Sequence, residues 1–136
     1  MDLIEWIVVF FGVGMVNTIV ALLGVKRFMD QYTVIRTSQD LDVFKQMARK
    51  QMYQTLVQLV LMAGMEIPGF IGIIMKKLDV WEFLLFLGLN GVYIVIGIYA
   101  KANEKKIQSL EVEDETLLQE YQSICVSWKK KPLPDF

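Results

Sequence analysis

The acidic side chain most capable of unusual chemistry in this sequence is Glu66, because it stands alone in an otherwise uncharged stretch between Lys50 and Lys76. Two other apolar stretches carry polar side chains at a similar depth. Asn17, followed by Thr18, comes eleven residues after Trp6, and Asn90 comes eight after Glu82, while Glu66 lies ten before Lys76. At about 1.5 Å per helical residue these depths agree to within a few ångströms, which predicts one polar layer. A carboxylate in hydrocarbon costs on the order of 3 kcal/mol even on a lenient scale, so it must be hidden and matched. As an acid it donates one hydrogen bond to an asparagine carbonyl and closes a neutral clamp between helices. As an anion it needs a proton donor, a cation or an arginine from a partner. Pro68 lacks a backbone donor and so frees the Gly64 carbonyl, which predicts a kink and one more oxygen nearby. Two roles follow: an interhelical clamp, or a proton or sodium site with Asn17, Thr18, Asn90 and the Gly64 carbonyl as oxygen ligands.

Such a layer needs helices that approach closely. Gly14, Asn17, Thr18 and Ala21 fall at i, i+3, i+4 and i+7. Glu66 shares a face with Gln58, Gly69 and Gly72, and Asn90 shares one with Gly97. Small residues admit a neighbouring backbone and polar ones bond across the contact, so the three faces are expected to converge with Glu66 pointing inward.

The stretches themselves set the fold class. Trp6 to Val25 is uncharged, the run between Lys50 and Lys76 holds only Glu66, and the run between Glu82 and Lys101 is uncharged. Each is long enough to cross hydrocarbon as a helix, which takes about 20 residues. A soluble helical core would carry charges on one face every turn or two, and a membrane barrel would alternate apolar and polar residues; neither pattern is present. The expectation is an all-α integral membrane protein with three transmembrane helices at 6–25, 55–75 and 81–100, together a domain over 1–100, and a tail over 101–136. The first run lacks a basic leader and a small-x-small cleavage site, so it is expected to remain attached.

Orientation follows from the basic residues. With the N-terminus outside, twelve lysines and arginines fall in the 26–54 loop and the tail, against Lys76 and Lys77 outside. The positive-inside rule then predicts a multi-pass protein of the cell (inner) membrane with a cytoplasmic C-terminus. Ser38, with Asp40 and Asp42 behind it, reads as a helix start. Leu41, Phe44, Met47, Ala48 and Met52 make an apolar stripe, Lys45, Arg49 and Lys50 a basic side. This predicts an amphipathic helix before the second span, most simply continuous with it.

The tail carries an acidic cluster, Glu111, Glu113, Asp114 and Glu115, read as a solvated turn. Leu117, Leu118, Tyr121, Ile124, Cys125 and Trp128 then recur at helical spacing, and 129–136, with Pro132 and Pro134, is expected to be extended. There is no histidine and one cysteine, which excludes His-based catalysis, Cys/His zinc sites and an intramolecular disulfide. Phosphate-binding loops and nucleophile elbows are absent too. No enzyme, cofactor, metal or nucleic-acid role is expected. The expected partners are membrane lipid and other subunits, either further copies or different membrane proteins. The leading expectation is a subunit or scaffold of a membrane assembly, with proton or sodium handling at Glu66 as the alternative.

The topology, N-outside with a cytoplasmic segment between the first two spans, is also similar in outline to the YidC-type membrane insertase group. That resemblance implies a role in membrane-protein biogenesis. Members place a two-helix hairpin in the loop and a cationic groove between the spans; here the loop reads as one helix and the buried residue is acidic.

Overall fold

The computed structural model describes residues 2–134. It is all-α, with four helices: α1 (Leu3–Gln31), α2 (Ser38–Ile74), α3 (Val80–Ile107) and α4 (Glu115–Lys130). The first three are long and apolar enough to cross a membrane. Their apolar side chains are largely exposed, Ile74 at 79% and Ile98 at 69%, as lipid-facing residues must be.

Every helix starts on a sequence-encoded cap. The Glu5 carboxylate accepts the Asp2 N–H at 3.1 Å. Asp79 and Glu82 exchange bonds, with Glu82 N–H donating to Asp79 Oδ1 at 2.8 Å and Asp79 N–H to Glu82 Oε2 at 2.9 Å. The acidic cluster supplies Asp114, whose Oδ1 accepts the Thr116 N–H at 2.8 Å and opens α4. At α2 the cap is Thr37, not Ser38: Asp40 N–H donates to Thr37 Oγ1, and the Asp40 carboxylate accepts the Thr37 N–H. This reciprocal capping box satisfies two orphan donors where a serine one residue later would satisfy fewer. After α2, Met75 is the C-cap and Lys76, whose φ of 54° is left-handed, turns the chain, with Lys77 N–H reaching back to the Gly72 carbonyl at 2.8 Å.

Helices α1 and α2 form a long antiparallel pair. Phe10 lies over Gly64, Gly14 beside Gln58, and Phe28 against Phe44. Because no breaker follows Gly24, α1 runs on through Lys26 and Arg27 to Gln31. The 26–54 segment therefore has two helical arms rather than the single helix expected from its pattern. α2 continues unbroken through Pro68, and α3 likewise passes residue 100 to reach Ile107.

A second core sits at the end of the molecule where these arms meet. Leu41, Phe44, Ala48 and Met52 of α2 are buried against Val25 and Phe28 of α1 and Tyr121, Ile124, Cys125 and Trp128 of α4. The stripe that suggested an amphipathic surface is thus an interior face; Met47 packs at its edge. Two short strands not evident in the sequence join this cap: β1 (Val34–Ile35) pairs in parallel with β2 (Glu111–Val112). Tyr121 fastens the turn after α3, its hydroxyl donating to the Ile107 carbonyl at 2.7 Å and accepting the Leu110 N–H at 3.0 Å. α4 holds Lys129 and Lys130 in its last turn, so the extended backbone starts at Lys131; Asp135 and Phe136 lie outside the described residues.

Burial pushes the Cys125 thiol above its ordinary value of 9.0. An acid whose ionisation is suppressed by folding stabilises the fold fully below its unfolded value, and that contribution fades as pH rises through the folded one. Phe44→Ala should cost about 3–5 kcal/mol in the cap and open Cys125 to alkylation. Wild-type protein at pH 8 should react slowly with a thiol reagent and the variant at least several-fold faster; equal rates would show that Phe44 does not hold the cap.

Candidate functional site

The polar residues of the apolar zone gather along the seam of α1 and α2. Asn17 Nδ2 donates to Gln58 Oε1 at 3.0 Å and to the Gln54 carbonyl at 3.1 Å. The Thr18 hydroxyl lies 2.9 Å from the Gly14 carbonyl and 3.2 Å from Gln58 Oε1, and donates to one of them at a time. One turn further, Gln51 Nε2 donates to the Ala21 carbonyl at 2.9 Å. Gln51, Gln54 and Gln58 form a ladder on one face of α2, because spacings of three and four return to the same side of a helix. In hydrocarbon each bond is retained because no water competes for it.

Glu66 belongs to a separate group. It lies eight residues beyond Gln58 on α2, about 12 Å along the axis. Its neighbours are Asn90 and Tyr93 of α3. Tyr93 stands between the two groups, beside the Gln58 amide and within electrostatic range of the Glu66 carboxyl, while its hydroxyl lies 3.3 Å from the Phe11 carbonyl. Asn90 Nδ2 donates to the Phe86 carbonyl at 3.0 Å. The single layer expected from depth counting is therefore two groups at different levels. Asn17 and Thr18 bond to glutamines, and only Asn90 accompanies the acid.

The Gly64 carbonyl, freed by Pro68, accepts the Trp6 indole N–H at 3.0 Å. That bond commits to the α1 seam an oxygen that was a candidate ligand. Three enclosed polar atoms have no hydrogen bond among the described residues: Gln54 Oε1, Gln58 Nε2 and Glu66 Oε1. Native proteins leave few such atoms, so each calls for a physical account.

The small-residue faces divide in the same way. A Cβ on Gly14 would meet the Tyr93 hydroxyl, one on Gly69 the Phe86 ring, and one on Gly72 the Leu3 side chain. These glycines are close-approach points. Gly97 has open space around it. α3 meets α2 near the connecting turn, where Phe86 covers Gly69 and lies edge-on to Phe70. Farther along, the two helices diverge around a cleft of 430 Å³.

The glutamine ladder with Asn17, Thr18 and Ala21 forms one side of this cleft, and Asn90, Tyr93, Gly97 and Glu104 of α3 form the other. Trp128 of α4 closes the far end. Leu59 and Ile94 line it yet are 59% and 64% exposed, so it opens sideways between the helices. Gln51, Gln54 and Tyr93 were not singled out by sequence. The available signal was three glutamines at helical spacing entering an apolar run. Comparison with protein-family models, curated proteins and solved structures finds no match for this chain.

Gly69→Val should cost about 1–3 kcal/mol by driving a side chain into the Phe86 ring, whereas Gly97→Val should change stability by less than about 1 kcal/mol. Thermal unfolding in detergent or nanodiscs reads the difference; equal shifts would mean that α2 and α3 do not meet at Gly69.

Proposed function

We propose that this chain is a membrane subunit whose working surface is the cleft between α2 and α3, and that it holds there a transmembrane segment of another protein. The cleft itself carries the reading. A groove with a polar side, open sideways at the depth of the apolar zone, is costly in lipid, because its amides find no partners among acyl chains. A helix with polar side chains can supply those partners and fill the space, the usual basis of association between membrane helices.

The positive-inside rule supports an N-outside orientation in the cell (inner) membrane. In that orientation the α1–α2 arms and α4 stand in the cytoplasm, at the end of the cleft that Trp128 closes. Two helical arms beside a polar cleft extend the topological likeness to the YidC-type insertases. On that footing the held segment is a client on its way into the bilayer.

A photo-reactive residue at Leu59 or Ile94 should crosslink to membrane segments of other proteins in native membranes, while the same group at Val95 or Ile98, away from the cleft, should label mainly lipid. Indistinguishable adducts from both pairs of positions would refute the reading. An adduct of twice the chain's mass would replace the foreign segment with a second copy.

Glu66 Oε1, enclosed without a hydrogen bond, favours one second reading, proton or sodium handling at this carboxylate. It requires that the purified protein speed the collapse of a proton or sodium gradient in liposomes and that Glu66→Gln abolish the effect. Leak rates no greater than in protein-free liposomes would dismiss it.

A further inference from the structure

We infer that the segment held in the cleft carries an uncharged carboxamide, an asparagine or glutamine side chain, set between Gln54 and Gln58 of α2. This rests on the docking reading and names the chemistry of its occupant.

The walls of the cleft are polar but almost without charge. Amides and hydroxyls line it from all three long helices, Asn17 and Thr18 of α1, Gln54 and Gln58 of α2, Asn90 and Tyr93 of α3. Among the described residues no lysine or arginine lines it, and its one carboxylate, Glu104, stands toward the cap. There Gln108 Nε2 donates to it at 3.2 Å, and Lys101 and Lys129 lie within electrostatic range. An ammonium or carboxylate carried into the apolar part of the cleft would find no counter-charge on these walls, and its burial would go unrepaid.

What the walls lack is one donor and one acceptor. Gln54 Oε1 and Gln58 Nε2 are enclosed without a hydrogen bond among the described residues, and a spacing of four puts their side chains on one face. The Gln58 amide has a fixed direction, because its oxygen accepts from Asn17 at 3.0 Å and lies 3.2 Å from the Thr18 hydroxyl. Tyr93 stands beside it and can take at most one of its two amide hydrogens. The Gln54 amide has no such hold. Only its backbone carbonyl is engaged by a side chain, Asn17 at 3.1 Å, so the amide itself is free to turn toward an occupant.

The complement of this pair is a group that both gives and accepts. Lysine and arginine only donate, a carboxylate only accepts, and leucine does neither, whereas a carboxamide carries two donor hydrogens and a carbonyl oxygen. It matches the pair whichever way the Gln54 amide faces. Its level follows from the same residues. Gln54 and Gln58 come four and eight after Lys50, where the uncharged run of α2 begins, about 6 and 12 Å along the axis. The carboxamide belongs about a third of the way across a hydrocarbon core of roughly 30 Å, on the cap side.

The test uses the full-length protein in nanodiscs with a photo-crosslinking residue at Ile94. It is offered leucine-alanine helices of about 20 residues that carry, about six residues from one end, glutamine, side-chain-dimethylated glutamine, lysine or leucine. The glutamine helix should crosslink about threefold more than the leucine helix, the size of an average interhelical polar contact, and the lysine helix should gain nothing. Dimethylation, which removes both donor hydrogens and keeps the carbonyl, should abolish the advantage. So should Gln54→Leu, with thermal unfolding like that of the wild type because this side chain holds no other part of the fold. Equal yields for glutamine and leucine helices, a lysine helix that matches glutamine, or an advantage that survives dimethylation or Gln54→Leu would overturn the inference while leaving the docking reading intact. No crosslink to any helix would remove the docking reading and this inference with it.

Discussion

The constraint on which this structure depends is that polar groups in an apolar medium must find one another. Asn17, Thr18 and the glutamines of α2 satisfy it across the α1–α2 seam. Because these bonds join fixed positions on two stiff helices, they set the register of the pair as well as its contact. Toward the N-terminus of α1 from this network, Gly14 and Gly64 admit close neighbours, Tyr93 of α3 at the first and Phe10 of α1 at the second, in the space a side chain would have taken. α3 does not share in this seam to the same degree. It is tied at the Phe86–Gly69 end, at Tyr93 and, through Ile107, in the cap core, and the length between Tyr93 and Ile107 stands away from α2. The cleft is what remains when two of three helices are zipped along their length and the third is fastened toward its two ends.

The cap obeys different physics. Its core of Val25, Phe28, Leu41, Phe44, Tyr121, Ile124 and Trp128 is an ordinary water-driven cluster, with aromatic rings in contact around Phe44. The same two helices therefore serve two solvents. The C-terminal part of α1 and the N-terminal part of α2 bury apolar faces in the cap with α4, while their middle stretches bury polar faces against each other.

Much of this was legible in sequence, for reasons that can be named. Charge segregation marks three helices because a lysine or glutamate is the side chain lipid tolerates least, and the close-approach glycines Gly14, Gly69 and Gly72 were visible because they fall on the polar faces. Gly97 has the same signature but meets open space, since small size permits contact without compelling it. The glutamine ladder was missed because Gln51 and Gln54 lie where the amphipathic helix passes into the apolar run, and an uncharged amide there carries no sign of which face it joins. The two-level arrangement of Asn17 and Glu66 was missed because depth along a helix says nothing about which helices touch. The β1–β2 pair joins segments far apart in the chain, and two residues on each side carry no periodic signal.

That pairing has a consequence for biosynthesis. β1 precedes α2 and β2 follows α3, so the strands can meet only after the ribosome has released the whole α2–α3 hairpin and the translocation machinery has delivered it. Tyr121 and Trp128 emerge later still. The nascent chain thus threads its lipid-embedded part first and seals its water-facing end last, and the seal itself records that the third crossing has been completed.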